Sequence, residues 1–208
     1  FISIVCALAG VLAATGTVAA QATSRVSLDS GGAQGNGDSS FPIFHSSAIS
    51  ADGRYVVFES AASNLVPGDT NATRDIFVHD RLTGTTELVS VDSSGAQADS
   101  ESYAPAISAD GRYVAFGSVA DNLVPGDTNS WPDYFVHDRL SGTTERVSVD
   151  SSGGQSDYTS GYAAPAISSD GRYVAFQSEA DNLVAGDTNV ASDVFVHDRQ
   201  TGATEIVS

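Results

Sequence analysis

Three oxygen-bearing residues recur at one spacing in three places. They are Asp69, Asn71 and Asp75, then Asp127, Asn129 and Asp133, then Asp187, Asn189 and Asp193. Two carboxylates and an amide carbonyl suit a hard cation such as calcium, which gathers about six to eight oxygens from carboxylates, carbonyls and water. The Asp-x-Asn spacing puts two oxygens on one side of a tight turn, and the following Asp can close the cage, which predicts one calcium per repeat. The pattern lacks the sixth-position glycine and distal glutamate of an EF-hand loop. The competing role is structural: Asp and Asn side chains build turns, and Asp75, Asp133 and Asp193 then only tie the loop to the strand that follows. A second recurring group is His79, His137 and His197, each followed by an aspartate, Asp80, Asp138 or Asp198. A catalytic histidine is needed once, so repetition reads as a strand-end hydrogen bond. Arg54, Arg112 and Arg172 recur likewise and are expected to pair with acids of the repeat. Of the histidines, only His45 breaks the pattern. The chain has no G-x-S-x-G, no H-E-x-x-H, no phosphate loop and no cysteine cluster, so no catalytic residue is assigned.

These groups sit in a sequence unit that is written three times, starting at Ala48, Ala106 and Ala166. In the middle copy, Ala106–Ser108 reads as a first strand, ended by the hairpin signal Asp110-Gly111. Arg112–Ser118 is the second strand. A long polar stretch leads through Asp133 to the third, Tyr134–His137, and Thr143–Val149 is the fourth. Val, Tyr, Phe and Ile dominate these pieces, as a pleated surface favours. RYVAF does not alternate apolar with polar, which predicts strands covered on both faces. Four antiparallel strands recurring every 58 to 60 residues predict an all-β chain of stacked propeller blades.

The runs SADGRYVVF…DIFVHD (50–80), SADGRYVAF…DYFVHD (108–138) and SSDGRYVAF…DVFVHD (168–198) resemble the TolB-type β-propeller repeat. The resemblance spans about residues 24–208 and implies the fold; propellers host many activities, so it implies no reaction. The repeat departs from that family in its longer second-to-third-strand segment, NLVPGDTN or NLVAGDTN. Blades are expected at about 48–91, 106–149 and 166–208, preceded by an N-terminal strand and linker over 21–47. Ser24–Leu28 copies the end of a fourth strand and is expected to be left over. Three blades are too few for a ring, so the remaining blades are expected from the rest of a longer chain or from a second copy.

Residues 1–24 carry no charge, and Phe1–Leu12 is apolar. This predicts a signal peptide over residues 1–20, with a retained membrane anchor as the alternative. Cys6 is the one cysteine and lies in that segment, so a secreted or periplasmic chain held without disulfides is expected. The net charge is −17, with nine Arg and no Lys; such a surface repels phosphate backbones, which excludes nucleic acid as the expected partner. In an up-and-down blade the linkers and the long loops emerge on one face, and the short turns on the other. The long-loop face then carries Phe41, Phe44, His45, Tyr103, Trp131, Tyr158 and Tyr162, and a protein or glycan ligand is expected there. The favoured role is a non-catalytic binding or scaffold module; the alternative is the propeller part of a hydrolase or glycan-active enzyme.

Overall fold

Runs of β-branched and aromatic residues with no polar face can satisfy their backbone only inside a sheet covered on both sides. That is how the central strands are placed in the computed structural model, which describes residues 23–39, 47–161, 163–189 and 191–208. Blade 1 contains β1 (Ser47–Ile49), β2 (Tyr55–Ser60), β3 (Asp75–Asp80) and β4 (Thr86–Leu88). Blade 2 contains β5 (Ser102–Ile107), β6 (Tyr113–Ser118), β7 (Asp133–Asp138) and β8 (Thr143–Arg146). Blade 3 contains β9 (Ala166–Ile167), β10 (Tyr173–Ser178), β11 (Asp193–Asp198) and β12 (Ala203–Ile206). Each is a four-stranded antiparallel sheet in sequence order, and no helix occurs among the described residues. All six residues of β3 and of β7 are buried. The expected hydrophobic segment 1–20 lies outside the described residues.

The core lies between blades. Val57, Ile76 and Val78 of blade 1 cluster with Val114, Phe116 and Phe135 of blade 2. Ala115, Tyr134 and Val136 of blade 2 cluster with Val174, Phe176 and Phe195 of blade 3. Phe58, Phe116 and Phe176 are buried at equivalent places, and each stacks on the phenylalanine opposite it in register, Phe77, Phe135 or Phe195, with centroids 5.9–6.0 Å apart. Truncating one such ring costs about 3–5 kcal/mol.

Two strand limits differ from the sequence expectation by more than one residue. The first strand of blade 2 begins at Ser102, well inside the expected linker, and carries a bulge between Tyr103 and Ala106. Gly117 makes the room: a Cβ there would lie 2.6 Å from the Tyr103 ring. Ala104 sits in the bulge at φ 53° and donates its N–H to Glu59 Oε2 of blade 1. Blade 2's fourth strand stops at Arg146 rather than Val149, because Val149 turns to bridge Gln155.

That bridge recurs as Leu28 with Gln34 and Val91 with Gln97. The N-terminal segment is therefore not left over. Leu28 accepts a hydrogen bond from the Thr86 hydroxyl at 2.5 Å, as Val91 does from Thr144 and Val149 from Thr204. The end of one repeat clasps the fourth strand of the next blade.

Candidate functional site

The two faces separate as the strand order requires. On the short-turn face, Arg81 N–H bonds Arg54 O, and the same link joins Arg139 to Arg112 and Arg199 to Arg172. On the long-loop face an asparagine in each long loop stitches the linker. Asn64 bonds Asn36 N and Gln34 O, Asn122 bonds Asp99 N and Gln97 O, and Asn182 bonds Asp157 N and Gln155 O.

The Asp-Asn-Asp sets lie under these loops. In blade 1, Gln97 Nε2 donates to both Asp69 Oδ1 (2.9 Å) and Asp75 Oδ2 (3.0 Å), while Ser90 Oγ donates to Asp75 Oδ1 at 2.6 Å. Burial pushes the Asp75 carboxyl up to about 6. In blade 2 a protein cation takes part. Arg146 Nη1 lies 3.0 Å from Asp127 Oδ1 and 3.2 Å from Asp133 Oδ2, all three side chains being at least nine-tenths buried. The Asp133 contact is well aligned as a hydrogen bond, whereas Asp127 Oδ1 meets Arg146 as a close ion pair of poorer alignment. Burial, then the neighbouring Asp133, pushes Asp127 up to about 6. Asp133 also accepts from Ser148 Oγ and Ser156 Oγ and is pushed up by burial. In blade 3, Ser208 Oγ donates to Asp193 Oδ1 at 2.5 Å.

The asparagines behave alike. Asn71, Asn129 and Asn189 each accept at Oδ1 from a backbone N–H two residues on, from Thr73, Trp131 and Ala191. Their amide oxygens are thus spent on Asx turns. The Nδ2 groups of Asn71 and Asn129 point to Ala98 O and Ser156 O, and that of Asn129 also to Asp133. In blades 1 and 2 the two carboxylates share a partner, and in blade 2 the Asn129 amide turns its nitrogen to Asp133. Among the described residues no group of three or more His, Cys, Asp or Glu is arranged to hold a metal. Nothing in the motif itself pointed to Arg146; the signal was its departure from the repeat, since Leu88 and Ile206 hold that place in the other blades.

The histidines are structural in all three blades. His79, His137 and His197 place Nδ1 2.8–2.9 Å from Thr86, Thr144 and Thr204 Oγ1. Each hydroxyl already gives its one proton to a carbonyl of the preceding repeat, so the imidazole must donate, which puts its proton on Nδ1. Burial holds all three rings below the ordinary histidine range. Arg54, Arg112 and Arg172 form two-pronged pairs with Asp80, Asp138 and Asp198 at 2.7–2.9 Å. Those guanidinium groups hold the three carboxyls well below the usual range.

Two residues that the repeats do not share meet at one spot. Trp131 in the blade 2 loop and Tyr158 in the next linker pack with ring centroids 4.7 Å apart. A cavity of about 370 Å³ beside them is lined by Asp157, Tyr158, Glu179 and Asp181. Sequence reading placed both aromatics on this face without foreseeing their contact. Phe41, Phe44, His45 and Tyr162 lie outside the described residues.

No family model matches the chain, and neither does any curated protein. Solved structures do resemble it at the level of fold. A putative TolB from Agrobacterium tumefaciens is 17% identical, with a TM-score of 0.48 over 78% of this chain and 49% of its own. An oligogalacturonate lyase from Vibrio parahaemolyticus is 14% identical, with a TM-score of 0.48 over 83% and 41%. The β-propeller domain of the Trilobed protease from Pyrococcus furiosus is 10% identical, with a TM-score of 0.46 over 78% and 40%. The chain thus spans half or less of each of these structures. Three four-stranded antiparallel sheets, one per copy of the repeat and joined through face-to-face cores, make it an all-β chain of three β-propeller blades.

Proposed function

We propose that this chain is a non-catalytic binding module, secreted or periplasmic, that takes its ligand on the long-loop face. The observation that carries this reading is where the repeats differ. His79, Asp80 and Arg54 and their counterparts are spent on the same bonds in each blade. Trp131 stands where the other blades have Thr73 and Ala191, and Tyr158 where blade 1 has Ser100. Variation set on loops above a repeated scaffold is how binding surfaces are made. The uncharged residues 1–24, with the apolar run Phe1–Leu12, support export.

The test is retention on arrays of peptides and oligosaccharides, comparing the chain with variants on each face. Trp131→Thr represents the long-loop face and Leu140→Asp the short-turn face. Retention lost only with the first kind supports the reading. Retention lost only with the second, or turnover of any arrayed compound, favours the enzyme alternative or another face.

Calcium enters this reading as a stabiliser of blade 1. There Leu88 replaces the cationic Arg146 of blade 2, and one neutral amide faces both Asp69 and Asp75. A thermal midpoint raised by millimolar calcium, and no longer raised in Asp69→Ala, supports this; an unchanged midpoint removes it.

A further inference from the structure

Two residues without counterparts in the other blades meet on the long-loop face, and they meet at a cavity. Trp131 is 38% exposed and Tyr158 44%, which leaves two large rings half in water. Tyr158 forms the aromatic wall, and Trp131 braces it at 4.7 Å. The remaining lining is acidic: Asp157, Glu179 and Asp181. The volume, about 370 Å³, falls within the range of small-ligand pockets.

The molecule shows elsewhere what such a pairing of groups binds. Across the first blade interface the Tyr55 ring carries Arg54 at 4.7 Å and Arg139 at 4.3 Å, and Arg139 Nε is also bonded to Glu87. Across the second, the Tyr113 ring carries Arg112 at 4.7 Å and Arg199 at 4.4 Å, and Arg199 Nε bonds Glu145 at 2.6 Å. A tyrosine face plus a carboxylate is the chain's own way of holding a guanidinium. Tyr158 with Asp157, Glu179 and Asp181 presents the same two groups to the outside. A neutral sugar can stack on the ring and donate its hydroxyls to the carboxylates, but it leaves their like charges unbalanced, whereas a cation offsets them. The net charge of −17 adds long-range attraction for a basic partner.

We propose that the Trp131–Tyr158 cavity binds an arginine side chain of a basic peptide segment in a partner protein. The proposal rests on the binding-module reading above and narrows it to one site and one ligand chemistry.

Trp131 is the one tryptophan of the chain, so its emission reports this site alone. The experiment titrates the 208-residue chain with an arginine–glycine repeat peptide, its citrulline counterpart and a chitooligosaccharide, with calorimetry in parallel. The arginine peptide is expected to change the emission saturably, and less strongly as salt is raised. Citrulline keeps the shape and loses the charge, and is expected to bind about tenfold more weakly. Tyr158→Ser and Asp181→Asn are each expected to weaken binding about tenfold. Serine is the residue blade 1 already carries at this place, Ser100, so the fold accommodates it. Equal binding of the citrulline peptide, a stronger response to the oligosaccharide, or unchanged affinity in Tyr158→Ser overturns the proposal. If it fails while array retention still depends on other long-loop substitutions, the site is wrong and the module reading stands. If no compound is retained at all, both fail.

Discussion

Replacing Arg146 with leucine, the residue blade 1 has at that place, asks whether blade 2 is held by an internal cation. Arg146 Nη1 lies 3.0 Å from Asp127 and 3.2 Å from Asp133, and the three side chains are 9%, 2% and 1% exposed. Removing one member of a buried ion cluster costs about 3–5 kcal/mol, because the remaining charge stays buried. Two reliefs act against this. Gln155, now bonded to Thr128 Oγ1, can turn onto the acids as Gln97 does in blade 1. Asp127, pushed up to about 6 even with Arg146 present, rises further and takes a proton near neutrality. The expected loss is therefore at the lower end, about 3 kcal/mol at pH 7, shrinking toward pH 5. The assay is urea unfolding of Arg146→Leu and the parent at pH 5, 6 and 7, with and without millimolar calcium. Calcium should recover part of the loss if two facing carboxylates suffice to attract it. A loss below about 1 kcal/mol, the worth of an exposed pair, or a loss independent of pH, would refute the reasoning.

Thr144→Val keeps the shape but removes the hydroxyl that joins His137 to Val91 O; two buried groups lose their partner, at about 2–5 kcal/mol together, whereas Thr144→Ser should stay within about 1 kcal/mol. Equal unfolding midpoints for the two variants would show that the clasp between repeats does not stabilise them. Gly111→Ala places a Cβ 2.2 Å from the Tyr55 ring at φ 74°, whereas Gly84→Ala, at φ 76°, meets nothing within 4 Å. The first should cost about 2–5 kcal/mol and the second about 1–2 kcal/mol, so equal losses would deny close contact between blades. The pH dependence has two opposite arms. Asp75 and Asp127 hold their proton more tightly folded, up to about 6 against an ordinary 3.8, so their protonation adds stability as pH falls through that window. Asp80, Asp138 and Asp198 are held low, so their contribution is present above 3.8 and is lost as pH falls below it. The three histidines, held low, add an opposing rise toward pH 6.5, so the first arm is read against Asp75→Asn: the parent's midpoint relative to that variant should fall as pH rises from about 4 to 6, and a constant difference would contradict this.

The fold was legible because the same non-alternating strands recur, and recurrence separates a buried strand from a chance apolar run. Strand limits were less so. β5 extends to Ser102 because Gly117 in the neighbouring strand admits the Tyr103 ring, a contact fixed by register that spacing alone does not give. The clasp at Thr86, Thr144 and Thr204 was hidden for the same reason, since its carbonyl partners lie 53–58 residues earlier. In the Asp-Asn-Asp sets, residue types announced oxygen ligands, but the direction of an amide depends on its backbone. The turn N–H groups claim Asn71, Asn129 and Asn189 Oδ1. Arg146, Trp131 and Tyr158 each depart from the repeat, and such departures mark what one blade does alone.

The central claim is that ligand binding belongs to the long-loop face. Hydrogen exchange of the chain with and without the arginine–glycine peptide tests it most directly. The account predicts slowed exchange across 128–133, 155–161 and 179–183, with the short turns at 50–54, 81–85 and 109–113 unchanged. Protection concentrated in those short turns, with the long loops unaffected, would contradict it.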